Sequence, residues 1–132
     1  MKRLALVLIF LSACGSPEPA PSTATAEMSP AERGAVVFAK CRACHTLAEG
    51  DRNRVGPNLW GVFGREAGSR ADFTYSKAMQ NLDVIWDDAE MDAYLRKPSE
   101  YLPGGRMSFV GLKQAEDREA VIAYLREQTG AQ

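Results

Sequence analysis

The pentapeptide Cys41-Arg42-Ala43-Cys44-His45 constrains this chain more than any other stretch. Cys-x-x-Cys-His is the attachment signature of a covalently held haem. Two thiols separated by two residues can each reach one vinyl group on a porphyrin edge and form a thioether. The next residue, His45, then falls under the ring, where its imidazole can take one axial site of the iron. Two blander readings of the same residues exist. A thioredoxin-like redox pair sits in a strand–helix context, and no alternating strand precedes Cys41. A zinc centre needs four ligands. His45 is the only histidine in the chain, and Cys14 is the only other cysteine, in a different kind of segment.

The N-terminal segment reads as an export signal. Lys2 and Arg3 are followed by an unbroken apolar run from Leu4 to Leu11, far shorter than the roughly 20 residues of a membrane span. Leu11-Ser12-Ala13-Cys14 resembles the bacterial lipoprotein cleavage box. There the cysteine becomes residue one and its sulfur takes a diacylglyceryl group. An ordinary signal peptide cut nearby would leave Cys14 as an incidental thiol, a liability in an oxidising compartment. Gly15 to Ser29 holds no large apolar residue other than Met28, so it cannot pack a core. Its prolines stiffen the first half, and about 15 residues stretch to about 50 Å. The expected organisation is a signal at 1–13, an anchor cysteine and linker at 14–28, and a folded domain at 29–132.

The domain has room for one core of ordinary size. With 45% hydrophobic and 25% charged residues, the bulk of the chain should fold. Formal charge is −1; loss of Lys2 and Arg3 with the signal takes the 16 basic residues to 14 against 17 acidic, or −3. That balance excludes a strongly basic nucleic-acid-binding face. Ser29-Pro30-Ala31-Glu32 is a capping box with proline at the first helical position, opening a helix to about Lys40. Thr46 to Tyr75 is rich in Gly, Asn, Arg and Pro and has no sustained helical period. A loop that long needs a functional reason, and a haem supplies the missing core for Leu59, Val62, Phe63 and Phe73. An apo-domain is therefore expected to fold poorly. A short helix covers about Ser76 to Asn81. Another is capped by Asp87, with Glu90 three residues on, and stopped near Lys97 by Pro98. A turn-rich loop spans Tyr101 to Met107, and the last helix covers about Gln114 to Gln128, with Gly130 just beyond.

From Gly34 to Leu125 the chain resembles the class I c-type cytochromes, close to mitochondrial cytochrome c and its small bacterial relatives. Beyond the pentapeptide, the resemblance rests on Gly56-Pro57-Asn58-Leu59, Phe63-Gly64-Arg65, Phe73-x-Tyr75, Trp86, Tyr94-Leu95-x-x-Pro98, Pro103-Gly-Gly-x-Met107 and a helix ending Ile122-Ala-Tyr124-Leu125. It implies an all-α fold of about four short helices and long loops wrapped around one covalently bound haem c. It implies thioethers at Cys41 and Cys44, and Met107 as the ligand opposite His45. It also implies a carbonyl at Pro57 for the free imidazole N–H, Tyr75, Trp86 and Arg65 beside a buried propionate, and Tyr94 near the Met107 sulfur. Gly34 and Phe38 would cross the last helix near Val121 and Tyr124. Two positions depart from the family pattern. Met79 stands where relatives often carry Asn near a buried water, and Gly105 where they carry Thr.

His plus Met ligation closes both axial sites, so the implied function is one-electron shuttling rather than catalysis. The thioether and the apolar shell both raise the potential. Partners are then redox proteins, donor and acceptor, docking on a monomer at the ring edge, with Arg42, Arg52, Arg54, Arg106 and Lys113 around it. Acidic residues such as Asp87, Asp88, Glu90, Asp92, Glu116, Asp117 and Glu119 collect elsewhere, an asymmetry that steers acidic partners. The implied setting is respiratory or photosynthetic electron transport on the periplasmic side of a membrane held through Cys14. A second class, an enzyme or sensor, requires Met107 to leave the iron easily.

Overall fold

The computed structural model describes residues 28–130. The signal segment, Cys14 and the linker up to residue 27 lie outside the described residues. Five helices follow in order: α1 (Pro30–Phe38), α2 (Lys77–Gln80), α3 (Asp88–Arg96), α4 (Pro98–Tyr101) and α5 (Ala115–Gln128). Among the described residues there is no strand, only an isolated antiparallel bridge between Glu66 and Ile85.

The helix starts obey local chemistry. The Ser29 hydroxyl accepts from the Glu32 N–H at 3.3 Å, and the Glu32 carboxylate accepts from the Ser29 N–H at 2.8 Å. A cap of this kind is worth about 1 kcal/mol. Asp87 accepts from the Glu90 N–H at 2.8 Å. The expected return bond from Glu90 is not made; its carboxylate takes the Tyr101 hydroxyl instead. Pro98 ends α3 and also occupies the first position of α4. A proline has no N–H to continue one helix but needs none to begin the next. One more helical turn therefore fills the stretch between Lys97 and the turn-rich loop expected from Tyr101, giving five helices rather than about four.

The frame is the crossing of α1 on α5. A Cβ at Gly34 would sit 2.3 Å from the Ala120 carbonyl oxygen and 2.5 Å from Tyr124 Cβ, so only glycine allows this approach. One turn on, the Phe38 and Tyr124 rings lie 5.6 Å apart. Val121 is 1% exposed beneath them. Arg33 pairs with Asp117 at 2.7 Å across the same crossing. Arg118 is buried where α3 meets α5. It donates to Asp92 at 2.6 Å and to the carbonyls of Leu112 and Lys113 at 2.9 and 3.0 Å. These bonds fasten the segment after Met107 to the helical frame, as does the Leu112 N–H on the Leu95 carbonyl at 2.8 Å. Leu59, Val62 and Phe73 line the interior cavity as expected. Phe63 does not; it lies under the Arg126 guanidinium, 4.4 Å from ring to carbon.

Candidate haem site

Helix α1 does not carry the pentapeptide. It ends at Phe38, and the backbone continues in tight turns: Cys41 N–H to Phe38 O at 2.8 Å, then Cys44 and His45 N–H to Cys41 O, each at 3.0 Å. The turns bring Cys41, Cys44 and His45 into the lining of a cavity of about 740 Å³. Both thiols are free of any disulfide, and burial pushes the Cys41 thiol up.

The His45 ring is held by what surrounds it. Its Nδ1 lies 2.8 Å from the Pro57 carbonyl. A carbonyl can only accept, so Nδ1 carries the hydrogen and Nε2 keeps its lone pair. Burial pulls the imidazole pKa down, against the Pro57 bond that raises it, and keeps the ring neutral, the form that binds metal. A Cβ at Gly56 would meet Cε1 at 2.4 Å and both ring nitrogens at 2.8 Å. Glycine is required there by the ring itself.

The Pro57 carbonyl is in turn fixed by an amide network that the sequence did not announce. Asn58 is 1% exposed. Its side-chain N–H₂ reaches Thr46 Oγ1 and the Ala48 carbonyl, both at 2.9 Å, and its Oδ1 accepts from the Trp60 N–H at 2.7 Å. Asn53 accepts from the Asn58 N–H at 2.8 Å and donates to the Asp72 carbonyl at 2.7 Å. That last bond joins the loop beneath His45 to the loop over the cavity. Asn58 stood in a family motif; Asn53 carried no signal of its own.

Met107 also lines the cavity, with Met79, Met91 and Phe109. The Tyr94 hydroxyl donates to its sulfur at 3.6 Å. Tyr94 is buried, and that pushes its phenol up to about 12. Trp86, Arg65 and Tyr75 line the cavity as well. Arg65 has no carboxylate partner among the described residues. Burial pulls its pKa down and burial pushes that of Tyr75 up, the guanidinium opposing the rise. An unpaired guanidinium at an apolar cavity calls for an anion. The donor set therefore fits a haem: two thiols, a neutral imidazole with a free Nε2, a thioether, apolar walls and a cation suited to a propionate.

The five expected docking residues, Arg42, Arg52, Arg54, Arg106 and Lys113, are all exposed, but only Arg106 lines the cavity. Two of them are engaged: Arg54 donates to the Arg42 carbonyl at 3.0 Å, and Arg106 donates to the Thr74 carbonyl. Lys40 and Val55, the latter 82% exposed, also line the cavity and were not singled out. Several of the acidic residues are paired rather than free, among them Asp88 with Arg126 and Asp92 with Arg118.

A helical domain folded around a thiol-bearing cavity of this kind defines a carrier of a covalently attached cofactor. Comparison with known proteins agrees. A family model described as Cytochrome c matches residues 31–129. The chain is 47% identical over 96 residues to cytochrome c2 of Afifella marina, spanning 70% of this chain and 77% of that one. It is 41% identical over 110 residues to cytochrome c of Theileria annulata (83% and 95%) and 44% identical over 90 residues to cytochrome c of Cannabis sativa (68% and 81%). The chain belongs to the cytochrome c family, as a class I c-type cytochrome. It is an electron carrier with one covalently attached haem c, not an enzyme.

Proposed function

We propose that this cytochrome is a membrane-tethered, His/Met-ligated one-electron carrier, with thioethers at Cys41 and Cys44 and axial ligands His45 and Met107. The single observation that carries the ligand reading is that His45 and Met107 line one cavity while each is held by a dedicated partner. His45 has the Pro57 carbonyl at 2.8 Å and Met107 the Tyr94 hydroxyl at 3.6 Å. When bound, the haem supplies a ferric/ferrous couple. The chain's own residues do the rest. Pro57 fixes the orientation of His45 and raises its basicity. Tyr94 orients the thioether and keeps water from it. Arg65, with Tyr75 and Trp86, compensates a carboxylate. Held ligands rearrange little between redox states.

In this reading residues 1–13 direct export, a lipid on Cys14 holds the chain to the periplasmic side of a membrane, and residues 14–28 let the domain at 29–132 swing as a monomer. No helix among the described residues is long and apolar enough to cross a membrane. Tethering raises the effective concentration near membrane-bound redox partners. These partners dock beside the cavity at Arg106, and the exposed Arg42, Arg52, Arg54 and Lys113 add positive charge that favours an acidic surface. The setting is respiratory or photosynthetic electron transport.

Two variants test the two halves. Met107→Ala should keep the haem attached, open one axial site to carbon monoxide and lower the potential. An unchanged potential with no carbon monoxide binding would remove Met107 from the ligand set. Cys14→Ser should release or misprocess the protein without altering the spectrum of matured domain. Wild-type protein found free in the periplasm with an unmodified Cys14 would end the tether reading.

A further inference from the structure

We propose that Arg70 is a second cation for the haem carboxylate that Arg65 receives, and that Asp72 holds part of its charge back, so that the Arg70–Asp72 pair sets the reduction potential of the carrier. The proposal rests on the haem reading above and adds two residues to it. Arg65, Asp72 and Tyr75 line the cavity. Arg70 does not line it and reaches the wall through Asp72. Its Nη2 donates to Asp72 Oδ2 at 3.0 Å, and its Nε approaches Asp72 Oδ1 at 2.7 Å. The second approach is an ion-pair contact without hydrogen-bond alignment. Nε is sealed from water and its hydrogen has no acceptor among the described residues. The Arg70 side chain is only 19% exposed, against 58% for Asp72.

The turn that carries the pair is fixed. Ser69 Oγ donates to the Glu66 carbonyl at 2.7 Å, and the Phe73 N–H to the Arg70 carbonyl at 3.4 Å. Asn53 donates to the Asp72 carbonyl at 2.7 Å, tying the turn to the amide network beneath His45. A half-exposed ion pair adds little stability. A mostly buried guanidinium beside the cavity wall acts more strongly on whatever charge the cavity holds, because it is less screened.

The charges do reach that wall. Burial chiefly pulls the Arg65 pKa down; Arg70 adds to the fall, and Tyr75 and Asp72 oppose it. Burial pushes the Tyr75 phenol up; Arg65 and Arg70 oppose the rise, and Asp72 adds to it. Two guanidiniums and one carboxylate leave one positive charge over, which a single haem carboxylate neutralises. Glu66 and Arg106 also line the cavity, both exposed and opposite in sign, so they leave this balance unchanged. A cation here disfavours the extra positive charge of the ferric state and raises the potential; an anion lowers it.

The test uses the purified holoprotein, with the visible spectrum recorded first and the potential measured at neutral pH and low salt. Arg70→Gln should lower the potential, raising the ferric-to-ferrous ratio at a fixed applied potential about threefold, or about 30 mV for one electron. Asp72→Asn should raise the potential, by less, because its charge is the more screened. Arg70→Lys, which keeps the charge, should stay closer to wild type than Arg70→Gln. A pair that merely held the turn would give a different result: both neutral variants would loosen the wall, admit water and shift the potential the same way. Shifts of the same sign in the two variants, an unchanged potential in Arg70→Gln, or a fall in Arg70→Lys as large as in Arg70→Gln would overturn the proposal and leave the haem reading standing. A wild-type holoprotein without a c-type spectrum would overturn both.

Discussion

Gly56→Ala should be among the most damaging one-carbon changes in this domain. The added Cβ would lie 2.4 Å from His45 Cε1 and 2.8 Å from both ring nitrogens, where ordinary contact begins at 3.4 Å. Ring and backbone must separate by about 1 Å in a close-packed setting. Neither side yields cheaply. The Gly56 N–H is bonded to the Cys44 carbonyl at 2.8 Å and its own carbonyl accepts from Arg54 at 2.9 Å. The ring is held by Pro57 at 2.8 Å. Overpacking costs about 1–3 kcal/mol, and losing the Pro57 bond about 1 kcal/mol more. A less flexible unfolded chain returns about 0.4–1 kcal/mol. The expected net loss is about 2–3 kcal/mol, or roughly 10–20 °C in melting temperature for a domain of this size. The assay is a far-ultraviolet thermal melt of the holoprotein, with a guanidinium titration. Gly105→Ala is the control: its Cβ meets the Leu102 carbonyl at 3.1 Å and otherwise only side chain at 3.5 Å, so it should cost less than about 1 kcal/mol. Equal melts for the two variants would refute the reasoning.

Two further changes test the frame. Gly34→Ala should lower the denaturation midpoint: helix propensity favours alanine by about 1 kcal/mol, but contacts of 2.3 and 2.5 Å on α5 bring an overpacking cost of about 1–3 kcal/mol that outweighs it; a raised midpoint would mean the helices are not so tightly crossed. Asp92→Asn should cost about 2 kcal/mol at neutral pH, because Arg118 stays buried with only its two carbonyl acceptors. Burial pushes the Asp92 carboxyl up, but hydrogen bonds from Arg118 and Arg96 outweigh it and hold the pKa below the usual range. A depressed folded-state pKa gives stability that is present at neutral pH and lost as pH falls from about 4 through the folded value. Wild type should therefore lose more stability than the variant across that acid range, and parallel pH profiles would contradict the pairing.

What the sequence revealed and what it concealed divide along a physical line. The pentapeptide was readable because its two thiols and its imidazole lie within five consecutive residues. The caps at Ser29 and Asp87 were readable because they act within one turn, and both side chains accept a backbone N–H as expected. Once a side chain could choose a partner far along the chain, local pattern failed. Glu90 left its capping position for Tyr101. Phe63 left the expected cavity lining for Arg126. Arg54 and Arg106 looked like free surface charge, but loops leave carbonyls without helical partners, and a guanidinium with five donors finds them. Gly56 shows the same limit from the other side. Its glycine is dictated by a ring eleven residues away, not by its own backbone angle, which is not left-handed. In a domain whose loops do much of the holding, the helices can be read from the sequence, whereas the restraints on the redox centre are long-range and require the structure.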